Sequence, residues 1–85
     1  MYYLTRINPA RNEQRYYVLH VAPTLLGEHC IIRIHGRLGR HQHTLPPLIY
    51  PDAATAHRSL ARLLQRRLKR GYFLQSCQSG SVITP

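Results

Sequence analysis

The sequence predicts an α+β domain: a small twisted antiparallel sheet of about four strands with one C-terminal helix packed on it. Three observations favour this fold class. Runs rich in aromatic and β-branched residues recur through the first 50 residues, and glycine, proline and asparagine separate them. One long segment near the C-terminus repeats its apolar residues at helical spacing. A chain of 85 residues has room for a single core.

Four segments in the first half of the chain are typical of strands. Residues 2–7 and 15–21 flank an Asn-Pro turn, so we expect them to pair as a hairpin. Residues 30–34, Cys-Ile-Ile-Arg-Ile, are the most strand-like stretch. Residues 42–50 should return as a fourth strand, which is irregular or at an edge because its two prolines cannot donate to a ladder.

Residues 52–70 are predicted to form the helix. Asp52 is a good N-cap, and Gly71 is expected just past the last turn. The apolar face comprises Ala53, Ala56, Leu60, Leu63, Leu64 and Leu68. The opposite face carries Arg58, Arg62, Arg66 and Lys69. The apolar face therefore predicts packing on the sheet.

We expect one domain over residues 1–74 and a flexible tail over 75–85, because the tail is polar and contains glycine. The N-terminus has early polar and charged residues, unlike a signal peptide, and no run approaches a membrane span. Cys30 lies in an apolar run and Cys77 in the tail, which does not suggest a disulfide framework. These features favour a cytoplasmic protein without a membrane partner.

The balance of charge is strongly basic. Twelve Lys and Arg residues oppose three Asp and Glu residues, for a net charge of +9. Eleven of the twelve cations are arginine, whose planar fork fits phosphate oxygens. The composition therefore favours a polyanion as the partner.

A basic platform is predicted where residues 30–34 lead into a glycine turn. Alternation along an extended strand places two sets of side chains on opposite faces. We expect a core set of Cys30, Ile32 and Ile34, and an outward set of Ile31, Arg33, His35 and Arg37. Gly36 and Gly39 allow the turn and the close approach of a partner, and Arg40 follows them. The alternative is a charged hairpin tip that only keeps the sheet soluble.

Catalysis and cofactor binding are not expected. The three acids form no carboxylate pair, and no Ser-His-Asp or Cys-His arrangement is evident. His41 and His43 share a spacing that suits zinc, but a third ligand is needed. The conceivable partners, His35 and Cys30, do not have the spacing of ligands, so we expect no metal site. The six histidines suggest instead that nucleic-acid binding depends on pH.

Residues 34–39, Ile-His-Gly-Arg-Leu-Gly, resemble the Trp-Gly-Arg signature of the WGR domain, which usually continues Ile/Val-Gly. Residues 15–21 resemble the aromatic second strand of that family, and 50–72 resemble its closing helix. The matching helix positions are Ala56, Leu60, Leu63, Leu64, Arg67 and the final Gly71-Tyr72. The resemblance covers about residues 2–73. His35 stands at the tryptophan position, and the following turn lacks one glycine of the usual pattern.

The resemblance implies a small twisted sheet with one helix and a module that binds DNA. In poly(ADP-ribose) polymerases this module binds DNA near a strand end, with the tryptophan stacked on a terminal sugar and basic residues on phosphates or neighbouring domains. Short free-standing versions occur in bacteria, and this chain resembles one of them. We therefore expect a non-catalytic module for duplex DNA ends or nicks. The candidate residues are Arg33, His35, Gly36, Arg37, Gly39, Arg40 and Arg67.

Several alternatives stay open at this point. Arg67 either lines the platform or covers the core with its side chain. The chain could be a protein-interaction module that docks on an acidic partner through the loop 23–29 or the basic helix face. RNA binding would need exposed tyrosines among positions 2, 3, 16 and 17 for base stacking. A scaffold without a ligand is the fourth alternative.

Overall fold

The computed structural model describes residues 1–77. This part of the chain forms one antiparallel sheet with one α-helix against it, which confirms the predicted α+β class. The elements are β1 (Tyr2–Asn8), β2 (Glu13–Pro23), β3 (His29–Arg37), β4 (Gln42–Thr44), β5 (Leu48–Tyr50), α1 (Ala53–Lys69) and β6 (Phe73–Cys77). The strand order is β4-β3-β2-β1-β6, and β5 also pairs with β3.

The sheet has six strands rather than the predicted four. Residues 42–50 form two short strands, β4 and β5, which pair with different halves of β3. Pro46 and Pro47 lie between them and have no N–H to donate, so the ladder breaks there. Strand β6 was not predicted, because its second half is polar and gives no strand signal of its own. The strand depends on its pairing with β1. The predicted tail thus begins inside β6, and its residues 78–85 lie outside the described part of the chain.

Both predicted ends of the helix are confirmed. The Asp52 carboxylate accepts a hydrogen bond from the Thr55 N–H at 2.7 Å, which caps the first turn. At the other end Gly71 adopts φ +93°. The Tyr72 N–H donates to the Arg67 carbonyl at 3.2 Å, and the Gly71 N–H donates to the Leu68 carbonyl at 3.1 Å. This pattern is a Schellman motif, and it turns the chain back toward the sheet as β6.

The orientation predicted for β3 is wrong. Ile31 is fully buried under α1, in a core that also contains Leu4, Tyr17, Leu19, Leu60 and Tyr72. Its alternate neighbours Arg33, His35 and Arg37 therefore lie on the helix side of the sheet. Cys30, Ile32 and Ile34 lie on the face away from α1. Residues 30–34 have apolar side chains on both faces, so their alternation does not decide which face the helix covers.

Candidate nucleic-acid interface

Two rows of side chains cross the helix side of the sheet near the C-terminal end of α1. Directly opposite residues on neighbouring strands share a face, so the register defines each row. The ring row consists of Leu4, Tyr17, His35 and His43. The arginine row beside it consists of Arg6, Arg15 and Arg37. Members of the two rows and one residue of α1 form a surface that we call the platform: Arg15, His35, Arg37, His43 and Arg67.

The aromatic side chains of the ring row lie nearly parallel to one another. The Tyr17 and His35 ring centroids are 5.9 Å apart with planes 15° apart, and the His35 and His43 centroids are 5.4 Å apart with planes 28° apart. Tyr72 contacts Tyr17 edge-on, with centroids 6.1 Å apart. His35 is half-buried and His43 is exposed, so the row emerges from the core toward solvent. The result is a row of nearly parallel rings that starts under the helix and ends at the sheet edge.

Arg67 connects α1 to this strip. Its Cζ atom lies 4.2 Å from the centroid of the Tyr17 ring, a cation–π contact. The side chain is half-buried, so its stem covers the core while its charge stays beside His35. The two sequence-based alternatives for Arg67 are therefore compatible, because its stem covers the core and its charge lies beside the ring row.

The arginine row places like charges directly opposite one another, which destabilises a sheet. The Glu13 carboxylate offsets part of this repulsion, at 3.3 Å from Arg6 Nε and 3.7 Å from Arg15 Nε. Arg37 donates from Nη2 to the Asn12 carbonyl oxygen at 2.8 Å. One carboxylate thus pairs with two of the three guanidinium groups, and the row keeps a net positive charge.

A shallow cavity joins the two rows. Its volume is about 310 Å³, and its lining includes Arg15, His35, Arg37 and Tyr72. Arg15 and Arg37 are exposed and lie at the mouth, while the two rings form part of the wall. The cavity is therefore a concave site with two cations and a ring surface, which suits a phosphate attached to a sugar.

The surroundings of His35 disfavour the protonated form of its imidazole. Burial lowers the pKa of His35 from its ordinary value of 6.5, and the neighbouring His43, Arg67 and Arg15 lower it further. The three neighbours act through electrostatic repulsion of the protonated ring. A negatively charged ligand on the platform would oppose that repulsion and raise the pKa of His35 again.

The structure does not bring Arg33 to the platform. Arg33 lies opposite Leu19, one row closer to the core than the ring row. Its Nη2 atom donates to the Pro46 carbonyl oxygen at 3.0 Å, and its Nε atom is buried without a partner among the described residues. Its own carbonyl accepts from the Leu45 N–H at 2.9 Å. Arg33 therefore holds the connection between β4 and β5.

The glycines of the motif have different roles. Gly36 lies within β3, where a Cβ atom would stand 3.0 Å from the His41 carbonyl oxygen and 3.1 Å from the Tyr16 hydroxyl. The absent side chain thus makes room for Tyr16 on the face away from α1. Gly39 adopts φ +79° in the turn after β3, which favours glycine. Arg40 follows it, exposed, and its N–H donates to the Arg37 carbonyl at 3.0 Å.

Sequence reasoning missed two members of the platform, Arg15 and His43. Period-two alternation puts Arg15 on the same face as Tyr17, but only the register with β3 places it beside Arg37. The register of β4 likewise sets His43 opposite His35. The sequence held one signal for Arg15. Alternation along β2 puts Arg15 on the same face as Tyr17 and Leu19, which are buried.

Residues 1–77 contain few features of other kinds of site. In that part of the chain no three His, Cys, Asp or Glu side chains come together as a set that could hold a metal ion. Neither does it contain a helix of the length and apolar character needed to cross a membrane. Cys30 is buried and Cys77 exposed, and both are free thiols.

Comparison with known proteins identifies the family of this chain and a relative. The model of the WGR domain family matches residues 1–79. The uncharacterized protein y4dW of Sinorhizobium fredii is 34% identical over 70 residues, which are 82% of this chain and 34% of that protein. This chain therefore spans about a third of the length of that relative. No solved structure matches this chain.

Proposed function

This chain belongs to the WGR domain family, and from that premise we propose that it is a non-catalytic module that binds duplex DNA at an end or a nick. The family is associated with nucleic-acid binding. The single observation that carries the proposal is the pair Arg15 and Arg37, set side by side next to the stacked ring of His35. A phosphate would bind the arginines while its sugar rests on the ring.

The arginines of the platform are prepared for phosphate. Arg37 uses one N–H on the Asn12 carbonyl, and Arg67 rests on the Tyr17 ring. A guanidinium has five N–H donors, so most of those on Arg37 stay available to an anion. Side chains that are already held in place lose less conformational freedom on binding. These contacts therefore support phosphate binding by Arg37 and Arg67, and Arg15 lies directly opposite Arg37.

His35 stands at the tryptophan position of the family signature and is proposed to contact the sugar. Its ring is half-buried and nearly parallel to the Tyr17 and His43 rings. An imidazole offers less stacking area than an indole, but it can also hydrogen-bond a hydroxyl or a phosphate oxygen. We expect a weaker stacking contribution than a tryptophan would give, offset in part by such a hydrogen bond.

The other residues named from the sequence take supporting places in this proposal. Gly39 and Arg40 lie in the turn beside Arg37, where Arg40 adds a peripheral positive charge. Arg33 and Gly36 are proposed to support the platform without contacting DNA, since Arg33 bonds Pro46 and Gly36 accommodates Tyr16. The proposed ligand-contacting set is therefore narrower than the one predicted from sequence.

Fluorescence anisotropy with labelled DNA tests the proposal. The probes are a blunt duplex, a nicked duplex with both ends closed by hairpins, an unnicked duplex closed in the same way, and a single strand. Contact with about five phosphates predicts that log K falls with log[salt] with a slope of about −4 to −5. We expect the blunt and nicked duplexes to bind more tightly than the closed unnicked one.

Two outcomes would contradict the proposal. An affinity that does not change between 50 and 200 mM salt, roughly the range over which counterion release is large, would exclude binding through phosphates. Equal binding of poly(glutamate) and duplex at the same charge concentration would favour docking on an acidic protein instead. Equal affinity for all three duplexes would leave DNA binding in place but remove the preference for ends and nicks.

A further inference from the structure

A second basic surface lies on α1, opposite its packed side. The outer basic face consists of Arg58, Arg62, Arg66 and Lys69. All four side chains are exposed, whereas Ala56 and Leu60 of the same helix are buried against the sheet. Ala61 and Gln65 lie among the basic residues and help to line a shallow groove of about 420 Å³. The surface is thus a continuous strip along the helix.

The acidic residues leave this strip uncompensated. Glu13 pairs with Arg6 and Arg15 on the sheet, and Glu28 lies in the loop between β2 and β3. Asp52 caps the helix and lies near Arg58 alone among the four. Like charges four residues apart on a helix repel one another. The strip therefore holds unbalanced positive charge that favours binding of an anion.

The composition of the strip favours nucleic acid over a protein as its partner. Residues 58, 61, 62, 65, 66 and 69 include no aromatic or branched aliphatic side chain. Protein interfaces usually need such residues at their centre. Arginines at steps of four residues repeat about every 6 Å along the helix, and a DNA strand carries one phosphate per roughly 3.4 Å of axis. The cation spacing of about 6 Å is close to twice the phosphate repeat of roughly 3.4 Å, so the strip can meet about every second phosphate of a strand through charge alone.

We propose that the outer basic face binds the phosphate backbone of a second nucleic-acid segment, so that one copy of the domain holds two segments together. The platform lies on the sheet beyond the end of α1, whereas the outer basic face points away from the sheet. A short duplex is stiff, so we expect a duplex seated on the platform not to bend over α1 onto that face as well. The inference rests on the proposed function for the class of ligand and for the platform as the place of the first segment; the outer basic face is the new site.

Energy transfer between two short blunt duplexes, one with a donor dye and one with an acceptor, tests the inference. We expect wild-type protein to produce transfer near equimolar ratios. Excess protein should abolish it, because each duplex is then occupied separately, and high salt should abolish it because the contacts are ionic. Absence of transfer at every ratio would overturn the inference.

Two variants separate the two surfaces. R58Q/R62Q/R66Q should eliminate transfer and weaken binding of a single duplex by less than about threefold, because the platform contacts remain. R15Q/R37Q is the matched platform variant and should lose most single-duplex affinity. Glutamine keeps a good helix propensity, and thermal melting checks that each variant is folded.

The other possible outcomes also decide which surface binds which partner. If R58Q/R62Q/R66Q brings the duplexes together as well as wild type does, then a second copy or another surface forms the bridge, and the inference is wrong. If that variant instead loses binding of poly(glutamate) but not transfer, the face serves an acidic protein. If R15Q/R37Q binds one duplex as tightly as wild type, the proposed platform fails, while R58Q/R62Q/R66Q still decides this inference.

Discussion

The two basic surfaces use the same residue type in opposite ways. On the platform, Arg67 rests on the Tyr17 ring and Arg37 bonds the Asn12 carbonyl. On the outer basic face, the described contact is a 3.3 Å hydrogen bond between Arg58 and Thr55 of the same helix. An anchored guanidinium can contribute to folding, and it loses less conformational freedom on binding. A solvated guanidinium has neither advantage. Each arginine on the platform should therefore matter more to affinity, and Arg67, which rests on a buried ring, should matter more to stability as well.

The largest expected effect is on stability, at the ring that anchors the platform. Tyr17 is 3% exposed and contacts Arg67, His35 and Tyr72. Replacing it with alanine should lower the free energy of unfolding by about 3–5 kcal/mol, because a large cavity replaces the ring. Urea denaturation measures this, with Tyr17→Phe as the control that keeps the ring. A loss of less than about 1 kcal/mol for Tyr17→Ala would show that the ring row is not part of the core.

The next effect is on binding. Arg37→Ala should weaken binding of a blunt duplex by about tenfold and reduce the salt slope by about 0.9, as one phosphate contact is lost. The melting temperature should stay nearly constant, because the lost bond to Asn12 is exposed. Arg62→Ala on the outer basic face is the matched control and should change single-duplex affinity little. A loss of binding that tracks the melting temperature would mean that Arg37 is structural.

A smaller effect concerns pH at the platform. The pKa of His35 is lowered below its ordinary value in the folded protein. The unfolded chain therefore binds that proton more readily, so stability falls as pH decreases through about 6.5. A phosphate beside the ring raises the pKa again, so the complex takes up a proton and affinity should rise about threefold from pH 8 to pH 6.

The matching measurement is duplex affinity at pH 6, 7 and 8 for wild type and for His35→Gln. The substitution should flatten the profile, because glutamine does not titrate. A flat wild-type profile, or an unchanged slope in the variant, would remove His35 from the proton linkage. The outer basic face contains no histidine, so variants there should leave the pH dependence unchanged.

The smallest effect separates the surfaces by stability alone. Arg62→Gln removes like-charge pairs on the helix, so the free energy of unfolding should stay the same or rise by about 0.2–0.5 kcal/mol. Arg67→Gln removes the contact with Tyr17 and should lower it by about 0.5 kcal/mol. Parallel urea titrations measure both. Equal changes in the two variants would mean that Arg67 is no better anchored than Arg62.

The elements that sequence reasoning predicted have signals within a few residues of one another. Asp52 and Gly71 delimit the helix through local hydrogen bonds and a positive φ, and both act as expected. The orientation of β3 could not be read in this way, because Ile31 and its neighbours are apolar on both faces. The register with β2 decided it, by setting Val21 opposite Ile31 under the helix. Strand β6 likewise depends on pairing with β1 rather than on its own residues.

The candidate site divides along the same line. His35 and Arg37 belong to one short motif, so their proximity follows from the sequence. Arg15 and His43 come from neighbouring strands, and their proximity follows only from the register. Arg33 fits the same alternation but bonds the carbonyl of a proline 13 residues away, a partner that only the tertiary structure supplies.

The most direct test of the platform is an NMR titration of ¹⁵N-labelled protein with substoichiometric blunt duplex. We predict that the first shifts appear in the backbone amides of residues 15–17, 35–40 and 67–72. The side-chain Nε–H signals of Arg15, Arg37 and Arg67 should shift with them. Shifts confined to Val18, Ile32 and Ile34 on the face away from α1 would contradict it, because DNA would then bind the side of the sheet that carries no arginine row.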